Sequence, residues 1–110
     1  MKGLKIGEFE ELILLAVGIL ENEAYGLAIQ KQLEINGRTV NLSAVHVALN
    51  RLEEKGYLRS QLGAPTQERG GKRKRLYELT PFGIKSIAAL KKLRQQMWDK
   101  LPDHLAVKID

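Results

Sequence analysis

The chain has 110 residues, 44% of them apolar and 28% charged, which are the proportions of one globular domain rather than of a disordered or fibrous chain. It contains no cysteine, which excludes a disulfide framework, a thiol nucleophile and any cysteine-ligated metal. A formal net charge of +5 favours a polyanionic partner, nucleic acid or an anionic surface, over acidic small substrates.

From Glu8 to about Glu21 the pattern predicts a helix with acidic residues in its first turn, where they complement the helix dipole. Winding at 100° per residue spreads Leu12, Ile13, Leu14, Leu15, Val17, Ile19 and Leu20 almost all the way round. Such a helix is expected to be covered on more than one side, more than a domain this small can do alone. The run Leu12 to Leu20 is far shorter than the roughly 20 residues a bilayer crossing needs. It also lacks the basic flank and cleavage site of a signal peptide, so no membrane association and a cytoplasmic location are expected.

Tyr25 to Asn36 reads as a second helix closed by Gly37, followed by a short strand, Arg38-Thr39-Val40. Asn41 or Ser43 offers an N-cap for a third helix running to about Lys55 and stopped by Gly56. Val45, Ala48, Leu49 and Leu52 form one narrow stripe on it, while Ser43, His46, Val47, Asn50 and Glu54 point the other way. Tyr57 to Leu62 and Arg75 to Leu79 alternate with the strand period and flank the loop "GAPTQERGGKRK", giving an extended hairpin. Thr80 caps and Pro81 opens a fourth helix, expected to reach about Leu101 before Pro102 stops it. Its residues Ile84, Ile87, Ala88, Leu90, Leu93, Met97, Trp98 and Leu101 span more than half the circumference, too much for one neighbour.

Three helices followed by a hairpin is the order of a winged helix-turn-helix domain, so the expected fold is mainly α with a small β-hairpin. Residues 1–80 would form the DNA-binding domain and residues 81–110 a C-terminal dimerisation helix and tail. Five of the seven residues from Arg69 to Arg75 are basic. On a wing, Arg69, Lys72, Arg73, Lys74 and Arg75 would neutralise phosphates and release counterions, with Gly70 and Gly71 letting the tip bend. The same run also suits a solvated loop, an import signal built on "KRKR", or an RNA-binding or adaptor segment. Its place between two strand patterns, directly after a helix with a polar outer face, favours double-stranded DNA.

On the third helix the candidate DNA contacts are Asn41, Ser43, His46, Val47, Asn50 and Arg51. Among them Ser43, His46 and Asn50 offer hydrogen bonds to base edges, and Val47 offers contact with a thymine methyl. His46 has only His104 as a histidine partner, so no metal site and no cofactor are expected. Glu53 and Glu54 point about 100° apart, a poor catalytic pair, and no enzyme is expected. The expected homodimer contacts are Leu12, Leu15, Ile19, Leu90, Leu93, Met97, Trp98 and Leu101. Met97 and Trp98 either pack there or line a cavity for a flat aromatic effector.

The stretches "SAVHVALNRLEEKGYL" and "RGGKRKRLYELTPFG", together with "FEELILLAVGILENEAYGLAIQKQLE", resemble the PadR family of bacterial transcriptional regulators over nearly the whole chain. The resemblance implies a winged helix-turn-helix dimer, mostly repressing, joined by a C-terminal helix packed on the partner's N-terminal helix. It also implies that Ala44 to Lys55 form the recognition helix and Arg69 to Arg75 the wing. Many relatives carry tyrosine at the place of His46 and often proline at that of Val47, so the tyrosine's base contact does not carry over. The chain looks like the short subgroup of the family, some of whose members sense drug-like or phenolic molecules.

Overall fold

The computed structural model describes residues 6–65 and 73–105. Helix α1 spans Glu8–Leu20, α2 Gly26–Ile35 and α3 Leu42–Glu54; strand β1 spans Leu58–Pro65 and β2 Arg73–Leu79; helix α4 spans Pro81–Asp99.

The helix ends follow local chemistry. The Glu10 carboxylate accepts from the Gly7 N–H at 3.1 Å at the start of α1. Asn41 caps α3, its Oδ1 accepting from the Ala44 N–H at 2.7 Å, so Asn41 and not Ser43 opens that helix. Thr80 caps α4 by accepting from the Gly83 N–H at 3.0 Å while its hydroxyl donates to the Gly56 carbonyl at 2.6 Å. Gly37 and Gly56, after α2 and α3, have φ of +85° and +87°, a region in which a side chain is disfavoured.

One apolar cluster holds the three N-terminal helices and the hairpin together. Ile13, Leu14 and Val17 of α1 meet Ile29 and Leu33 of α2, the whole stripe Val45, Ala48, Leu49 and Leu52 of α3, Tyr57 just before β1, and Leu58 and Tyr77 of the hairpin. Leu49 and Leu52 are fully buried, each worth about 1.5–3 kcal/mol relative to exposure.

The expected strand Arg38 to Val40 does not form. Its backbone groups are used elsewhere, the Arg38 N–H donating to the Leu33 carbonyl at 2.8 Å and the Val40 carbonyl accepting from Gln30 Nε2 at 2.9 Å. The hairpin is antiparallel, pairing Leu58 with Leu79 through Leu62 with Arg75, then shifting register before Pro65 meets Arg73. Its strands therefore reach further into the glycine- and proline-containing segment than the alternation predicts, because a bulge absorbs the irregular residues. The Tyr77 N–H donates to the Ala24 carbonyl at 2.8 Å, docking the hairpin on the turn between α1 and α2. Helix α4 leaves the hairpin beside Tyr57, whose ring stacks on Phe82 with centroids 4.8 Å apart.

Candidate nucleic-acid interface

The amphipathic stripe of α3 decides what the helix presents outward. With Val45, Ala48, Leu49 and Leu52 committed to the core, Ser43, His46, Val47, Asn50 and Arg51 are all exposed. Asn41 is exposed too, although its amide oxygen is already occupied by the cap.

Strand β2 brings cations to the same side. His46 and Asn50 of α3, Lys74 and Arg75 of β2, and Tyr25 and Gly26 at the start of α2 line one groove of 450 Å³. The N-terminus of α2 opens into it with no side-chain cap, adding the partial positive charge of unpaired backbone N–H groups. Groove and strand thus combine point charges, helix-end dipoles and a polar helix face, the elements needed to hold a phosphate backbone while an adjacent helix meets base edges.

Among the described residues, the three cations of β2 are each held by a different device. Lys74 Nζ lies 4.1 Å from the centroid of the Tyr25 ring, a cation–π contact. Arg73 Nε donates to the Gly63 carbonyl at 2.8 Å across the hairpin, and Arg75 Nη1 donates to Ser60 Oγ at 3.1 Å. Arg73 and Lys74 therefore lie within a strand rather than in the loop assigned to them by sequence. Arg69, Gly70, Gly71 and Lys72 lie outside the described residues.

Sequence reasoning missed Tyr25, Ser60 and Gly26 as parts of this surface. A Cβ on Gly26 would come within 2.6 Å of the His46 ring, so the imidazole lies over the start of α2 and is steered by a glycine twenty residues earlier. No local pattern announces that contact. Because the obstacle is the far end of a rotatable side chain, Gly26→Ala is expected to leave the melting temperature within a few degrees. It should nonetheless swing His46 and shift its NMR signals.

Tyr77 is buried behind the groove, and burial first, then the nearby Glu53 carboxylate, push its phenol above its usual value of 10.0, with Arg75 opposing. Folding thus favours the neutral phenol. That contribution is fully present below pH 10 and is lost as pH rises through the folded-state pKa. Unfolding free energy measured from pH 8 to 11 is expected to decline above pH 10, less steeply in Tyr77→Phe.

The other sequence-selected residues lie on α1 and around α4, outside this groove. Leu15 and Ile19 of α1, and Leu93, Met97, Trp98 and Leu101 around α4, are exposed, Met97 and Trp98 by 64% and 60%. Leu12 is half-buried against the core, and Leu90 is already buried within the single chain. Between α1 and α4 runs an apolar groove of 520 Å³ lined by Leu15, Ile84, Ile87, Ala88 and Trp98. At its edge Arg94 donates to Glu11 at 2.6 Å. Among the described residues no group of three or more His, Asp or Glu is placed to hold a metal, and no single helix is long and apolar enough to cross a membrane.

Three helices, a two-stranded ribbon docked on the α1–α2 turn and a following long helix define a winged-helix protein. The chain belongs to the transcriptional regulator PadR-like family, whose profile matches residues 14–89. Among solved structures it is similar to a PadR family transcription regulator from Clostridium difficile R20291, with 27% identity and a TM-score of 0.67 over 83% of this chain and 91% of that one. It is also similar to a PadR family transcriptional regulator from Eggerthella lenta DSM 2243, with 25% identity and a TM-score of 0.66 over 84% of this chain and 80% of that one. A transcriptional regulator from Clostridium thermocellum gives 26% identity and a TM-score of 0.65 over 82% and 85%. Comparison with curated proteins gives no match.

Proposed function

We propose that this PadR-like protein is a cytoplasmic, homodimeric repressor that binds pseudo-palindromic duplex DNA. The observation that carries the reading is the meeting of His46 and Asn50 with Lys74 and Arg75 in one groove. In this reading α3 enters a major groove, with Ser43, Val47 and Arg51 beside it, and the cations of the wing lie along phosphates. Residues 1–80 form the DNA-binding domain. Residues 81–110 form the dimerisation helix and tail, a division supported by the exposed apolar residues of α4 and of α1.

Selection of bound sequences from a random duplex pool at physiological salt tests the proposal. A two-fold symmetric motif with half-sites about one helical turn apart is expected. Enrichment of no motif, or of structured RNA in direct competition, would overturn it. Asn50→Ala is expected to change preference among operator variants by about 1–3 kcal/mol at one base position. A uniform loss across all variants would assign Asn50 to phosphate instead.

A second reading rests on the α1–α4 groove: Trp98 and Leu15 line an apolar cavity of a size that suits a flat aromatic effector. Trp98 fluorescence, titrated with a panel of such compounds, reports occupancy directly, and an unchanged signal across the panel rejects this reading.

A further inference from the structure

Glu53 has no part in the DNA-facing surface described above, yet its carboxylate lies at the root of the wing. It stands in the last turns of α3, half-buried. Ser60 of β1 lies within hydrogen-bond distance of both its oxygens, Oγ to Oε1 at 2.9 Å and to Oε2 at 2.7 Å. A hydroxyl has one hydrogen to donate and lone pairs to accept with. The Ser60 hydrogen goes to Glu53, and its oxygen accepts from Arg75 Nη1 at 3.1 Å. The three side chains form one polarised relay from β2 through β1 to α3, in which the charged ends strengthen the hydroxyl's two bonds.

We infer that Glu53 is a positioning residue that acts through Ser60 to aim the Arg75 guanidinium and so ties the wing to the recognition helix. The inference rests on the proposed DNA reading of the groove. An arginine on an exposed strand loses rotamer freedom when it engages a phosphate, and holding it beforehand removes part of that cost. The relay also sets the spacing between the cations of β2 and the outer face of α3, because Glu53 belongs to the same rigid helix as His46 and Asn50. Arg73 provides an internal contrast, since its Nε donates to the Gly63 carbonyl and makes no use of the relay.

Two measurements on the full chain test this. In the free protein, the heteronuclear NOE of the Arg75 Nε–H is expected to be high in the wild type and to fall in Ser60→Ala and Glu53→Ala. It should be retained in Glu53→Gln, whose amide oxygen still accepts from Ser60, and the Arg73 signal should hold throughout. On duplex DNA, Ser60→Ala is expected to weaken binding about three- to ten-fold, and to have no further effect once Arg75 is alanine. An Arg75 signal that is mobile in the wild type, or unmoved by Ser60→Ala, overturns the inference. So does an equal loss of affinity in both backgrounds, which would mean that Ser60 acts through the fold alone. A wild type that holds no duplex would defeat the DNA reading, while the NOE series would still decide whether Glu53 orders Arg75.

Discussion

Replacing Arg73 and Arg75 together with alanine is expected to weaken duplex binding about 60-fold at 0.1 M salt and to lower the salt dependence by nearly two units. Each phosphate neutralised by a cation releases condensed counterions, with a slope of about 0.9 per contact in B-form DNA. At 0.1 M that slope is itself worth close to a decade of affinity per contact. Both arginines are exposed on β2, and each is steadied by one hydrogen bond to β1, so neither should be needed for folding. The loss should be the same on operator and random duplex, because phosphate contacts carry no sequence information. Plots of log affinity against log salt for wild type and double variant check both numbers, and parallel lines would remove these two arginines from the interface.

Gly83→Ala is expected to lower stability by about 3 kcal/mol and the melting temperature by on the order of 15 °C. Gly83 sits buried in the first turn of α4, where an added Cβ would collide with the Tyr57 carbonyl oxygen. That oxygen also accepts from the Thr80 N–H at 3.1 Å, so the obstacle is backbone held in place on both sides. Alanine in a helix gains about 1 kcal/mol over glycine by propensity, too little to offset a clash that pushes α4 away from the Tyr57 backbone. The Tyr57–Phe82 stack and the Thr80 cap would be disturbed together. A calorimetric scan reads the effect, and a melting temperature equal to that of the wild type would mean that α4 shifts freely on the hairpin.

Much of the architecture could be read from residue order, because the punctuation is local. Asn41, Thr80-Pro81, Gly37 and Gly56 mark helix ends within one or two residues of where they fall, and the α3 stripe separates core from outer face without ambiguity. The strand expected at Arg38 to Val40 failed because competing partners, the Leu33 carbonyl and Gln30, lie on α2, and propensity says nothing of them. The extended hairpin was underestimated because Gly63 and Pro65 are poor strand formers that a bulge accommodates. The surface itself was legible only as a set of residue types. What joins them, Tyr25 beneath Lys74, Gly26 beneath His46, and Ser60 between Arg75 and Glu53, are contacts between distant parts of the chain with no periodic signature.

The slipped register near the outer end of the ribbon has a further consequence for life at high concentration. Apart from the Tyr77 N–H given to Ala24, a two-stranded ribbon leaves amides unpaired along its outer sides, and a flat, regular one would recruit like segments from other molecules into fibres. Here the irregularity between Leu62 and Pro65 breaks the flat template. Proline offers no amide hydrogen there, and mutual repulsion along β2 keeps a second ribbon at a distance. The segment proposed to lie along phosphates is thereby guarded against stacking on itself.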